Sequence, residues 1–180
     1  MDFFKNVDKI GDLIPGVSYN QVLDVQRAAV VTEPVTLNEL KEFARITGSV
    51  EDAILTALIK AAREMCEKYA NISFVQRSVT AYINNVNGGT ALPYGPISLL
   101  NVYNLQNETV SPTTLGAEFI RIQEPRMDLK CVYLGGYSTL PEDLKTAVKS
   151  QALFLYENRG DSQLTMSPIA KMILDPIKRI

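Results

Sequence analysis

The hydrophobic period of this 180-residue chain changes twice along its length, and those changes fix the order of its elements. Between residues 36 and 71, apolar side chains recur at three- and four-residue spacing, which marks one face of a helix. Thr36-Leu37-Asn38-Glu39 reads as a capping box, in which Thr36 and Glu39 satisfy each other's exposed backbone donors. A helix over 36–45 follows, with Leu37, Leu40 and Ala44 on one face, and Gly48 breaks it. A second helix over 51–71 sets Ile54, Leu55, Leu58, Ala62, Met65, Cys66 and Tyr69 against a wet face of Glu51, Lys60, Arg63, Glu64, Glu67 and Lys68. From 73 to 138 the period shortens to two. Val75, Arg77, Val79, Ala81 and Ile83 alternate with Gln76, Ser78, Thr80 and Tyr82, and strand-like runs recur at 99–105, 119–123 and 129–134. Leu92-Pro93-Tyr94-Gly95-Pro96 is excluded as a central strand, because proline has no ladder donor. Pro141 returns the chain to helix over 141–159, with Glu142 and Asp143 at its positive end and Leu144, Val148, Gln151, Ala152 and Leu155 as its stripe.

The ends are read the same way. Phe3, Val7, Ile10 and Ile14 predict a helix capped by Asp2 and stopped by Pro15-Gly16. Ser18 and Gln21 form a second capping signal, which predicts a short helix through Val22, Val25 and Ala29. At the other end Ser167 caps and Pro168 opens a last helical segment, interrupted at Pro176. The expected organisation is an N-terminal arm over 1–33, a core over 34–160 with a β insertion over 73–138, and a C-terminal arm over 161–180. The expected fold class is mainly α: a small helical bundle with a β-hairpin or small-sheet insertion and extended arms.

Residue inventory narrows the chemistry. The chain has no histidine, which removes the usual general base and the commonest metal ligand. Cys66 and Cys131 stand alone, without zinc-site spacing, and read as buried small hydrophobes. Gly88-Gly89 and Gly135-Gly136 lack the spacing and the lysine of a phosphate-binding loop. Glu64 and Glu67 share a helix face, as a glycosidase pair would. The plainer reading is surface support with Lys60, Arg63 and Lys68. No catalytic, cofactor or metal site is expected. Eighteen basic against twenty acidic residues give a net charge of −2, with no basic stripe to grip phosphates. No apolar run reaches the ~18–20 residues that span a bilayer, and no basic-then-apolar leader opens the chain, so neither membrane nor secretion is expected. The sequons at Asn71 and Asn107 then read as chance matches.

Particular motifs add a resemblance. Leu92-Pro93-Tyr94-Gly95-Pro96-Ile97 is followed by Val132-Tyr133-Leu134-Gly135-Gly136-Tyr137, then by Leu140-Pro141-Glu142-Asp143-Leu144-Lys145-Thr146-Ala147, and a helix ends in Tyr156-Glu157-Asn158-Arg159-Gly160. This order resembles the head–tail connector, or head-completion adaptor, family of tailed bacteriophages, over about residues 34–160. Ile173-Leu174-Asp175-Pro176-Ile177-Lys178-Arg179 is similar to the family's C-terminal ending, with Ile177 where an aromatic is common. The resemblance implies a structural, non-enzymatic virion protein, made in the bacterial host cytoplasm and located in the neck. It implies a dodecameric homo-oligomeric ring below the portal, extending the DNA channel and presenting a platform for the next neck or tail protein. DNA would pass without specific binding. A second reading is a DNA-packaging accessory protein that contacts nucleic acid.

On that basis Ile169, Met172, Ile173, Leu174, Ile177, Lys178 and Arg179 are the expected portal or partner docking residues, and Arg63, Glu67, Lys145, Lys149 and Arg159 the expected subunit seam. The loops over 84–90 and 104–116 are candidates for the channel lining or the tail-facing surface. Burying four apolar tail residues yields about 6–12 kcal/mol, against roughly 12–24 kcal/mol of backbone entropy for a dozen residues. The tail is therefore expected to order either in the assembly or on its own domain.

Overall fold

A computed structural model describes residues 21–86, 89–117, 119–122, 127–159 and 165–178. The predicted helix carrying Phe3, Val7, Ile10 and Ile14 lies outside these residues. The chain divides into two compact units.

The helical unit takes in Ala28–Arg77, Pro93–Ile97 and the chain from Leu134 onward. It contains α1 (Leu37–Ala44), α2 (Asp52–Ala70), α3 (Glu142–Glu157) and α4 (Pro168–Leu174), the last running into a 3-10 turn at Asp175–Ile177. The capping box forms as the sequence predicts: the Glu39 N–H donates to Thr36 Oγ1 at 3.2 Å, and the Thr36 N–H donates to Glu39 Oε2 at 2.6 Å. That backbone bond is the main reason the Glu39 carboxyl lies below the usual carboxylate range. Asn71 ends α2 in the left-handed region, which Asn tolerates better than most residues. Leu40, Leu55, Ile59, Ala62 and Cys66 meet Leu144, Val148, Ala152, Leu155, Ala170 and Leu174 in a single core.

The sheet unit takes in residues 21–27 with Ser78–Leu92 and Ser98–Tyr133. Its elements are β1 (Gln21–Arg27), β2 (Arg77–Val86), β3 (Gly89–Ala91), β4 (Ile97–Asn104), β5 (Thr109–Val110), β6 (Thr113–Leu115), β7 (Phe119–Arg121) and β8 (Met127–Gly135). Five of them form a sheet in the order β1-β2-β8-β4-β5, and three a smaller one in the order β3-β7-β6. Val79, Ala81 and Ile83 of β2 and Leu129, Cys131 and Tyr133 of β8 are buried, every second residue, as the alternation requires.

Two expectations fail here. The fold is mixed α/β, not mainly α: among the described residues the four helices stand beside eight strands in two antiparallel sheets. The strand-like run at 119–123 appears as β7, whereas β3, β5 and β6 escape the sequence because they have two or three residues each, too few to show a period. The predicted helix through Val22, Val25 and Ala29 is instead β1, antiparallel to β2, with a register shift between Val22 and Asp24. Two β-branched valines suit the pleat, and pairing with β2 overrides a local capping signal.

The C-terminal segment is seated on its own unit. Ser167 Oγ accepts from the Ala170 N–H at 3.0 Å, while the Ser167 N–H donates to Gln151 Oε1 of α3 at 2.7 Å. Ala170 and Leu174 are fully buried, and Tyr69 of α2 donates its hydroxyl to Asp175. These polar contacts supply what apolar burial alone lacks.

Candidate assembly interface

Within the helical unit, α2 holds a buried charge network. The Arg63 guanidinium donates to both Glu33 oxygens, at 2.6 and 3.2 Å, and to Glu67 Oε2 at 3.0 Å. Arg77 donates to the same Glu67 oxygen at 2.6 Å, and the Phe74 N–H donates to Glu67 Oε1 at 2.8 Å. Burial alone lowers the Arg63 pKa, but the Glu33 hydrogen bond and the Glu67 charge reverse this, so its net shift is upward. Arg63 and Glu67 are only 2% and 3% exposed, so the wet-face reading of these two does not hold. Glu33 lies 30 residues before Arg63, outside any local pattern, and sequence reasoning missed it.

The other expected seam residues lie on α3 and just beyond it, each with a partner in its own chain. Lys145 donates to Glu142 at 2.8 Å, which raises its pKa, and approaches Glu39 at 3.9 Å. The Lys149 ammonium lies 5.6 Å from the centre of the Phe43 ring. Arg159 stacks 4.2 Å over Tyr156 and pairs with Glu51 at 3.1 Å. Tyr156 also donates to Glu51, which raises the phenol pKa and lowers that of the carboxyl.

Those contacts place α1 and the start of α2 on one flank of α3, along Lys145, Lys149 and Tyr156. The α4 segment meets α3 at Gln151. At about 100° per residue, Gln151 lies about 140° round the helix from the middle of that first stripe. Thus α1 and α4 occupy different flanks of α3.

Of the expected docking residues, Leu174 is buried, and Ile173 and Ile177 pack partly against the core. Ile169 and Met172 face outward, at 52% and 69% exposure. The Lys178 ammonium sits 4.5 Å over the Tyr69 ring, and Arg179 lies outside the described residues. An open groove of about 520 Å³ runs beside them, lined by Met65, Lys68, Tyr69, Asn71, Thr165, Met166 and Lys178. A second, of about 330 Å³, is lined on α1 and its following loop by Asn38, Lys41, Glu42, Arg45, Ile46 and Thr47.

In the sheet unit, the candidate channel loops are more ordered than loops. Residues 89–91, 109–110 and 113–115 are strands, and Asn104 Oδ1 accepts from the N–H groups of Gln106 and Glu108, at 3.0 and 2.8 Å.

Among the described residues, no three His, Cys, Asp or Glu side chains cluster so as to hold a metal ion. Cys66 and Cys131 are free and buried, and burial pushes each thiol up to about 12. At pH 8 roughly one in ten thousand is thiolate, the reactive form. A maleimide is expected to leave the native chain unlabelled and to add two groups in denaturant, as mass spectrometry would report. Because both folded pKa values are raised from 9.0 to about 12, the associated stability is present below pH 9 and is lost as pH rises toward 12.

The comparisons follow this geometry. Residues 34–108 match the Phage gp6-like head-tail connector protein family. The connector resemblance seen in the motifs therefore holds, and the match covers α1, α2 and strands β2 to β4. The fold is shared with a chain in the neck of an empty gene transfer agent particle computed with C6 symmetry. The TM-score is 0.71 at 16% identity, covering 88% of this chain and 96% of that one. A chain in the neck of the native particle, computed with C12 symmetry, gives 0.70 at 15% identity, over 88% and 96%. A chain in the virion of the native particle gives 0.67 at 20% identity, over 86% and 94%. At these identities the likeness establishes a common fold. No curated protein matches. No helix among the described residues is long and apolar enough to cross a membrane.

Proposed function

We propose that this chain is a structural, non-enzymatic subunit of a phage neck, repeated as a ring between the portal and the next neck or tail protein. The observation that carries the reading is the connector-family match at 34–108, on a fold that neck chains of symmetric particles share over 88% of this chain. In this reading the ring is dodecameric, DNA runs through its channel, and a net charge of −2 keeps the wall from gripping phosphates. Lys145, Lys149 and Arg159 lie near the seam between copies, while Arg63 and Glu67 stiffen the subunit behind it. The outward side of α4, with Ile169, Met172 and nearby Lys178, is the docking surface toward neighbouring neck polypeptides.

Negative-stain imaging of the chain mixed with its portal tests this. The expected result is a closed symmetric particle stacked on the portal. Monodisperse monomers beside unoccupied portals would overturn it, and salt-sensitive duplex binding without particles would favour a packaging accessory instead.

A further inference from the structure

The segment over 165–178 is fastened to its own unit at two ends, by contacts of unequal kind. At its start, the fully buried Gln151 of α3 reads the backbone. Its Oε1 accepts from the Ser167 N–H at 2.7 Å, while Nε2 donates to Thr165 O at 3.4 Å and to Met65 Sδ of α2 at 3.8 Å. One side chain thus serves the carbonyl of residue 165 and the N–H of residue 167, as one residue of a parallel β-strand would. The amide orientation is fixed, because turning it over would set its NH2 against the Ser167 N–H, donor against donor. Ser167 in turn caps α4 through its hydroxyl, so the amide sets the first turn of α4 and the direction in which Ile169 and Met172 project. At the far end the Tyr69 hydroxyl donates to Asp175, and that bond is exposed. Water replaces an exposed hydrogen bond at little cost, whereas a buried donor left without its acceptor forfeits its full hydration.

We infer that Gln151 is the positioning residue of the α4 docking surface: its amide, and not the Tyr69 contact, sets the fraction of chains that hold residues 165–178 in place. The inference rests on the proposed docking role of α4 and names what controls it. Being buried, Gln151 acts through the backbone of Thr165 and Ser167. Its loss opens the segment as a local unit, with the packing of α1 on α2 left standing. A partner that recognises seated α4 then binds in proportion to the fraction still seated.

Hydrogen exchange of the free, full-length chain tests this at the backbone amides of α4. Gln151→Leu keeps a similar volume and removes the polar contacts. It is expected to speed exchange in α4 at least tenfold, while the amides of α1 and α2 keep their protection. Tyr69→Phe is expected to stay within about twofold of the wild type. Ser167→Pro removes the same N–H from the other side and leaves α3 untouched. Its φ of −59° is one that the proline ring allows. It is expected to give the same local rise, beyond that of Ser167→Ala, which removes the hydroxyl cap alone. Binding to the portal is expected to weaken in the same order, Gln151→Leu more than Tyr69→Phe. Unchanged α4 exchange in Gln151→Leu, an equal rise in Tyr69→Phe, or a rise spread evenly through α1 and α2 in both Gln151→Leu and Ser167→Pro would overturn the proposal. A wild type that ignores its portal while the exchange pattern holds would remove the docking role and leave the control of α4 by Gln151, so the two failures are distinguishable.

Discussion

Replacing Glu67 with alanine is expected to destabilise the free chain by about 3–5 kcal/mol, the usual cost of removing one member of a buried ion pair. Glu67 holds three donors at once: Arg63 at 3.0 Å, Arg77 at 2.6 Å and the Phe74 N–H at 2.8 Å. Without it two guanidinium groups crowd an enclosed site, and a buried N–H loses its acceptor. Glu33 still holds Arg63, but lies on the opposite side of its guanidinium from Glu67 in the bonding pattern: Nε and Nη2 serve Glu33, and Nη1 serves Glu67. Glu67→Gln keeps an acceptor oxygen and loses the charge, so a smaller loss is expected. Urea unfolding of both variants reads the difference. Equal stability of Glu67→Ala and the parent would mean that water replaces the carboxylate and that the site is open.

Gly136→Ala is expected to cost about 2–6 kcal/mol. The residue sits at φ +110°, a conformation that L side chains rarely adopt, and a Cβ there would lie 2.5 Å from the Val75 carbonyl oxygen and 2.7 Å from its carbon. The strain accounts for about 1–3 kcal/mol and the overpacking for a similar amount, about 1–3 kcal/mol. Neither neighbour yields easily, since both are backbone. The Gly136 N–H donates to Pro96 O at 2.8 Å, and the Gln76 N–H to Tyr137 O at 3.1 Å, so three chain segments are tied at this point. Gly48→Ala is the control. Its φ is +84°, yet nothing lies within 4 Å of the added carbon, so only the strain, about 1–3 kcal/mol, is expected. If both variants unfold at the same urea concentration, close approach at Gly136 is not what excludes a side chain.

How much of this was legible depended on the range over which each signal acts. The α1 capping box, the α2 and α3 stripes and the Ser167-Pro168 start of α4 are written within four to eighteen residues, and all four helices stand where those patterns place them. Strands need partners, and partners are distant: β1 pairs with β2 across more than fifty residues, from Gln21 with Asn84 to Arg27 with Val79. No local pattern at Val22–Val25 contains that information. Arg63 and Glu67 show an intermediate case. Their i,i+4 spacing looks like surface support, yet on the α2 wheel they adjoin the buried Ile59, Cys66 and Ala70. That position was a readable sign that they are enclosed, although nothing nearby pointed to Glu33 or Arg77 as their company. For α4, the sequence grouped Ile169, Met172, Ile173, Leu174 and Ile177 together as docking residues. Only the structure separates Ile169 and Met172, which face out, from Leu174, which faces in.

The seating of α4 on its own unit changes the thermodynamics of joining. A tail that folded only on contact would charge each new bond with its ordering entropy, on the order of 1–2 kcal/mol per residue. Here Gln151, Tyr69 and the Ser167 cap hold residues 165–178 in shape within a single chain. In the proposed neck, recruitment through α4 is then close to rigid-body docking, for which modest contact areas suffice and encounter rates are set by orientation and charge instead of by a folding step.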